Sequence, residues 1–100
     1  MVRYDVIVHE RGNRDLEDIF KYIACEKLSP ENALGQIKRI KDAVIGLQVF
    51  PESHQERLSG RYAGMGYRQV LIDNYIVVFR IDDGEKTVHV ITIQYKGRNI

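Results

Sequence analysis

The last third of the chain constrains the fold most strongly, because it consists of three alternating runs separated by short turns. The runs are YRQVLI (67–72), YIVVFRI (75–81) and TVHVITIQY (87–95). Only Asp73 and Asn74 separate the first two runs, and this connection is typical of a tight β-hairpin because both residues tolerate a positive φ. The stretch DDGEK supplies the next turn, so the segment predicts a three-stranded antiparallel meander.

A turn at Asp73 and Asn74 fixes the pairing register and assigns each side chain to one face of the sheet. One face is almost entirely apolar and is expected to contact helices; it carries Arg68, Val70, Ile72, Tyr75, Val77, Phe79 and Ile81. The other face is mixed and is expected to be less covered; it carries Tyr67, Gln69, Leu71, Ile76, Val78 and Arg80. Arg80 is then either a structural arginine whose stem covers apolar surface or part of a platform for anions or nucleic acid.

The N-terminal residues predict a strand followed by a helix. The stretch VRYDVIV alternates as a strand does, with Tyr4, Val6 and Val8 on one side. Residues 13–27 predict an amphipathic helix that begins at the N-cap residue Asn13. The apolar stripe of this helix is formed by Leu16, Ile19, Phe20 and Ile23.

A second helix is predicted from Ser29 and Pro30, since proline suits the first helical turn, to the vicinity of Phe50 and Pro51. Its apolar stripe is formed by Ala33, Ile37, Ile40, Val44 and Leu47. The break between the helices is short, so they should lie antiparallel. Residues 51–66 contain one proline and three glycines and predict a loop. The predicted fold is therefore one α+β domain of 100 residues: a strand, a two-helix hairpin and a three-stranded meander, with the helices packed on one face.

Composition narrows the class of protein further. The single cysteine, Cys25, excludes an intrachain disulfide, and no apolar run approaches the ~20 residues of a membrane helix. A cytoplasmic protein is therefore expected. The net charge of +1 is uneven: residues 1–56 hold eight Lys/Arg against ten Asp/Glu, whereas residues 57–100 hold seven against four. The resulting +3 of the C-terminal part permits an acidic or nucleic-acid partner.

The sequence offers no recognisable motif for metal, cofactor or nucleophilic chemistry. His9, His54 and His89 are scattered along the chain without the spacing of metal ligands. The stretch GRYAGMG lacks a following Lys-Ser/Thr and the strand-to-helix context of a phosphate loop or a dinucleotide site. Cys25 lies off the helical core stripe and predicts an inert surface thiol. Neither a cofactor nor a metal is predicted.

The order of the elements and the residues of the C-terminal third form a familiar pattern. Its most specific part runs from Gly66 to Ile100 and contains Tyr67-Arg68, Asn74-Tyr75, Phe79-Arg80, Tyr95 and Arg98-Asn99-Ile100. Over nearly its whole length the chain resembles the RelE/ParE superfamily of toxins from bacterial type II toxin–antitoxin pairs, and in particular the ParE-like branch. Gly97 and Asn99 depart from that branch, which usually has an arginine and an aspartate at these positions.

The resemblance implies a small cytoplasmic toxin that a cognate antitoxin holds inactive, that meets operator DNA only through the antitoxin and that has no membrane partner. ParE-like members inhibit DNA gyrase without known hydrolysis, whereas RelE-like members cleave mRNA in the ribosomal A site without a metal. RelE-like members carry an arginine directly after the tyrosine that begins the third strand. Here that residue is Ile76, with Leu71 opposite it, so inhibition of gyrase is the favoured interpretation.

The residues predicted to bind the target are basic or aromatic. They are Arg68, Arg80, Tyr95, Lys96 and Arg98, with Arg57 and Arg61 as outer contacts. If the chain is instead a ribosome-dependent endoribonuclease, Arg80 would stabilise the phosphate charge and Tyr95 would serve as the acid. A third possibility is an inactive family member that only binds its antitoxin in a DNA-bound corepressor complex.

Overall fold

In the computed structural model, which describes residues 3–58 and 60–97, two helices pack on one face of a four-stranded sheet. The elements are β1 (Asp5–Val8), α1 (Glu10–Lys21), α2 (Pro30–Gly46), β2 (Arg68–Ile72), β3 (Tyr75–Asp82) and β4 (Thr87–Tyr95). A π-helical turn, Tyr22–Glu26, continues α1, and a short 3₁₀ turn, Pro51–Ser53, follows α2. None of the helices in the described part of the chain is long and apolar enough to cross a bilayer.

The sheet has the strand order β1-β4-β3-β2, and its antiparallel part confirms the predicted meander. Ile72 pairs with Tyr75 and Arg68 with Phe79, as the two-residue turn predicts, and Asp73 has a φ of 54°. The first strand, β1, lies beside β4 and parallel to it. The predicted α+β class and the placement of both helices on one face are thus confirmed.

The apolar face of the sheet forms the core with both helices. The buried cluster consists of Tyr4, Leu16, Ile19, Ile40, Val44, Leu47, Tyr75, Val77, Phe79, Val88, Val90 and Ile93. A β-bulge interrupts β4, because Val78 pairs with Thr92 while Phe79 pairs with Val90. The bulge leaves Ile91 without a partner and lets both Val90 and Ile93 face the helices although they are three residues apart.

The beginning of α1 differs from the prediction. The helix begins at Glu10 with His9 as its N-cap residue, and the amide of Asn13 already donates to the carbonyl of His9 at 3.1 Å. The predicted N-cap at Asn13 is therefore wrong. The physical reason is the buried Gly12, at which a Cβ atom would lie only 2.9 Å from Cγ1 of Val8. Glycine is needed in the first turn so that α1 can pack closely against the sheet.

The second helix begins at Pro30, as predicted, but ends at Gly46, before the predicted end near Phe50. The following segment is also more ordered than the predicted loop. The amide of Arg57 donates to the carbonyl of Tyr67, and the amide of Gln69 donates to the carbonyl of Gln55, both at 2.8 Å. Residues 55–57 therefore pair with the outer edge of β2 and cover it.

The face of the sheet away from the helices, called the outer face below, is covered at its centre. Val78 is fully buried, and Ile76 and Gln94 are 7% and 4% exposed. The prediction that this whole face is less covered is therefore wrong for its centre. One reason is that the segment beside β2 brings Arg57 onto this face, where its guanidinium contacts Gln69.

Asp15 ties α1 to the edge of β4 beyond the end of β1. One carboxylate oxygen, Oδ2, accepts hydrogen bonds from Oγ1 of Thr92 at 2.5 Å and from the amide of Ile93 at 3.0 Å. Because β1 pairs with β4 only as far as Val90, this carboxylate takes the place of a neighbouring strand's carbonyl. We call this arrangement the Asp15 clamp.

Replacing Asp15 with alanine should lower the free energy of unfolding by about 2 kcal/mol, because the part-buried amide of Ile93 loses a charged acceptor. Chemical denaturation of the purified protein measures this change. Asp18→Ala is the matched control, since Asp18 is exposed on the same helix, and its effect should stay within about 0.5 kcal/mol. Equal stabilities of the two variants would show that the clamp contributes nothing.

Candidate functional site

The residues predicted to bind the target lie in three places rather than on one surface. Arg80 lies on the outer face, and Tyr95 and Lys96 lie at the end of the sheet beside the β2–β3 turn. The other described arginines of this set, Arg57, Arg61 and Arg68, lie in or beside the 51–66 segment. Arg98 lies outside the described residues. The described members of this set therefore do not form one continuous surface.

Arg57 and Arg68 hold the 51–66 segment against β2. Nη1 of Arg57 donates to Oε1 of Gln69 at 2.6 Å, and Nη1 of Arg68 donates to the carbonyl of His54 at 2.7 Å. Arg57 is only 8% exposed, so in this arrangement it contributes to the fold rather than to an outer surface. Arg61, in contrast, is exposed in the same segment.

The first exposed surface is the hairpin end, formed by Tyr95 and Lys96 beside the buried Tyr75. The rings of Tyr75 and Tyr95 meet edge to face with centroids 5.9 Å apart, and Tyr95 is 50% exposed. The amide of Lys96 donates to the carbonyl of Asn74 at 2.8 Å. Burial, followed by the neighbouring Tyr22 and Tyr95, raises the pKa of the Tyr75 hydroxyl, which therefore stays protonated at neutral pH.

The turn beneath the hairpin end is fixed to α2. Oδ2 of Asp73 accepts hydrogen bonds from Nε of Arg39 at 2.8 Å and from Nε2 of Gln36 at 2.9 Å. These two bonds, with that of Arg39 the stronger cause, lower the pKa of the Asp73 carboxyl. The backbone that carries the hairpin end is thus held by hydrogen bonds within the sheet and by the contacts of Asp73 with α2.

The second exposed surface is a cluster of His9, His89 and Arg80 on the outer face, called the histidine–arginine cluster below. Nε2 of His9 and Nδ1 of His89 lie 2.9 Å apart, and the ring centroids are separated by 5.1 Å. Arg80 pairs with His89 in the β3–β4 register, and its guanidinium makes no hydrogen bond or ion pair within residues 3–58 and 60–97.

This cluster could not be found from the sequence, in which the three histidines are scattered. His9 and His89 are 80 positions apart and meet only through the parallel pairing of β1 with β4, for which the sequence carries no local signal. His54 does lie elsewhere and packs edge-on against Phe79 at a centroid distance of 5.9 Å. Among the described residues, no three His, Cys, Asp or Glu side chains are placed to hold a metal ion.

The electrostatics of the cluster favour the neutral form of His89. Burial is the main cause that lowers the pKa of its ring, the charge of Arg80 and the neighbouring His9 lower the pKa further, and Asp82 opposes them. One of the two imidazoles donates the shared hydrogen bond and the other accepts it, so the pair cannot keep this bond when both rings are protonated.

Arg80 and Tyr95 are not brought together. Tyr95 pairs with Tyr75 on the side of the sheet that faces the helices, whereas Arg80 lies on the outer face. Tyr75 and Arg80 are five residues apart in β3, which corresponds to about 16 Å at the usual rise of a strand. The two groups that would serve RNA cleavage therefore differ in both face and end of the sheet.

The sequence of this chain matches the model of a known protein family. A family model described as the ParE toxin of the type II toxin–antitoxin system parDE matches residues 6–100. The chain belongs to this toxin family. The RelE/ParE resemblance noted in the sequence is thereby confirmed. A comparison with curated proteins found no match.

Solved structures with the fold of this ParE-family chain come from several toxin–antitoxin systems. The chromosomal ParDE system of P. aeruginosa aligns with a TM-score of 0.75 at 20% identity, covering 95% of this chain and 98% of that one. The RelBE2 complex of Mycobacterium tuberculosis aligns at 0.69 and 20% identity, covering 98% and 97%. The intact RelBE complex of E. coli aligns at 0.61 and 14% identity, covering 95% and 99%. At these identities the likeness concerns the fold.

In this ParE-family toxin, Arg80→Gln should raise the pKa of His89 towards its ordinary value, because a like charge is removed while the burial remains. An NMR pH titration of the ring resonances measures the change. Arg14→Gln, which removes an exposed arginine from α1, should leave the pKa of His89 unchanged.

The same shift makes the stability of the fold depend on pH. The pKa of His89 is lower in the folded chain than its ordinary value of 6.5, so the unfolded chain binds more protons just below that pH. The folded protein should therefore lose stability as the pH falls from 6.5 through the folded pKa, and Arg80→Gln should lose less. Identical pH profiles of unfolding for wild type and Arg80→Gln would contradict this coupling.

Proposed function

We propose that this chain is a toxin that a cognate antitoxin neutralises and that arrests growth by binding and inhibiting DNA gyrase. Membership of a type II toxin–antitoxin family supports the antitoxin partner. The gyrase target is what the resemblance to the ParE-like branch implies. The observation that carries the choice of binding over hydrolysis is the separation of Arg80 from Tyr95 across the sheet.

Cleavage of RNA without a metal needs a proton donor and a positive charge around one phosphodiester. Arg80 and Tyr95 cannot both reach one phosphate, since they lie on opposite faces and at different ends of the sheet. The position that carries an arginine in RelE-like members is Ile76, which is buried and paired with Leu71. An apolar pair at this place favours a toxin that acts by binding.

The hairpin end is the surface that we assign to the contact with gyrase. Tyr95 and Lys96 are exposed there, and their backbone is anchored to Asn74 and thus to the β2–β3 turn. A half-exposed aromatic ring on a rigid support is typical of residues that dominate binding at protein interfaces. Arg61 and Arg98 stay further expected contacts of the target: Arg61 lies apart from the hairpin end in the 51–66 segment, and Arg98 lies outside the described residues.

Purified toxin should block supercoiling when it is incubated with gyrase, relaxed plasmid and ATP, and it should not cleave mRNA on programmed ribosomes. Lys96→Gln should weaken the inhibition by about tenfold, because a contact of a charged group is lost. Lys38→Gln, which removes the same charge from the exposed face of α2, should inhibit as the wild type does. Unaffected supercoiling together with cleavage of mRNA in the A site would overturn the choice of gyrase in favour of the endoribonuclease.

The groove between α1 and α2 is the surface that we assign to the antitoxin. It is lined by Leu16, Phe20, Leu34 and Ile37, with Asn13, Glu17, Lys21 and Lys41 at its polar positions. An amphipathic antitoxin helix would place its apolar residues against the first set and acidic residues against the two lysines. The P. aeruginosa and M. tuberculosis relatives are described as toxin–antitoxin systems, which supports such a partner.

Leu34→Glu should weaken antitoxin binding by at least about tenfold, because complex formation would bury a carboxylate in an apolar groove. Isothermal titration with the purified antitoxin measures the affinity. Ile45→Glu is the matched control: it lies on the same helix with similar exposure, 57% against 63%, but does not line the groove. Equal affinities of the two variants would show that the antitoxin binds elsewhere.

A further inference from the structure

The histidine–arginine cluster carries chemistry that neither the gyrase contact nor the antitoxin groove uses. It lies on the outer face, near the β3–β4 turn, whereas the hairpin end lies at the opposite end of the same strands. Two imidazoles in hydrogen-bond contact beside a guanidinium on a partly exposed surface are not explained by packing.

The three side chains leave several hydrogen-bonding groups unused. The His9–His89 contact engages one nitrogen of each ring, and the second nitrogen of each makes no hydrogen bond within the described part of the chain. Arg80 carries a permanent charge and five N–H donors, and it has no carboxylate partner among the same residues. Asp82, the nearest acidic group on β3, accepts a hydrogen bond from the amide of Glu85 in the following turn at 3.1 Å.

This set of donors favours an anion over a cation. A divalent metal would find only two imidazole ligands among the described residues, and it would sit beside the like charge of Arg80. A tetrahedral oxyanion, in contrast, can accept from a guanidinium and, once one of the two rings is protonated, from the outer N–H of each ring while the His9–His89 bond is kept. We propose that His9, His89 and Arg80 form a binding site for a phosphate group, either of a small phosphorylated molecule or of a nucleic-acid backbone.

Binding at this site is coupled to protonation. The groups that face His89 are His9, directly after β1, and Arg80 and Asp82 on β3. Together with burial, they favour the neutral ring when no anion is bound. A bound oxyanion favours the charged imidazolium and so raises the pKa of His89. The affinity for an anion of constant charge therefore rises as the pH falls towards and below 6.5.

The test follows the histidine ring resonances by NMR while sulfate or inorganic phosphate is added at constant ionic strength. Sulfate serves as the probe for the pH series because its own charge does not change in this range. Both anions should shift the rings of His9 and His89 saturably, chloride should not, and sulfate should raise the pKa of His89. Arg80→Gln should weaken the affinity for both anions by about tenfold, whereas Arg14→Gln should leave it unchanged.

Comparing an oligonucleotide with inorganic phosphate identifies the source of the phosphate group. A short single-stranded oligonucleotide that binds more tightly than inorganic phosphate, and loses this advantage in Arg80→Gln, would point to a nucleic-acid backbone. Equal or weaker binding of the oligonucleotide would point to a small phosphorylated molecule. The proposal is overturned if neither anion shifts the ring resonances beyond the effect of chloride. It is also overturned if added Zn²⁺ shifts these resonances and the anions do not. The gyrase assay tests Lys96→Gln at the hairpin end, whereas the anion titration tests Arg80→Gln in the histidine–arginine cluster. The gyrase proposal and the anion-site proposal can therefore fail independently.

Discussion

The parallel pairing of β1 with β4 joins the N-terminal strand to the meander. The position of α1 and the contact between His9 and His89 on the outer face both depend on this pairing. The amide of Asp5 donates to the carbonyl of Lys86 and the amide of His9 to that of Val90, both at 2.9 Å. These bonds turn a local three-stranded meander into a four-stranded sheet. They also fix where α1 begins, since His9, whose amide makes the last of these bonds, is the N-cap residue of the helix.

The short length of β1 creates two packing problems that single residues solve. The first turn of α1 lies so close to the sheet that Gly12 has no room for a side chain towards Val8. The part of β4 beyond Val90 has no strand beside it, and the Asp15 clamp supplies the missing acceptor for its backbone. Both solutions come from α1, so the helix is tied to the sheet by polar as well as apolar contacts.

Features set by neighbouring residues could be predicted from the sequence, whereas features set by distant pairing could not. The turn at Asp73 and the alternation around it fixed the hairpin register correctly, because both act over a few residues. The start of α1 could not be placed from the sequence, because Asn13 suits an N-cap by residue type, whereas the preceding Gly12 lies inside the helix and serves close packing. The contact of His9 with His89 and the burial of Arg57 required the tertiary arrangement itself.

The covered centre of the outer face restricts where this ParE-family toxin can act. Gln94 is buried and donates to Thr92, which donates in turn to Asp15, so the polar groups along this part of β4 already have partners inside the protein. Opening the centre for a substrate would break such bonds in a poorly solvated place, at a cost of about 1–3 kcal/mol for each group left without a partner. Polar groups that remain available for a ligand lie at the two ends of β3 and β4, one end with Tyr95 and the other with Arg80. A sheet built in this way offers two separate surfaces, one at each end of β3 and β4, and our proposals assign a different ligand to each of them.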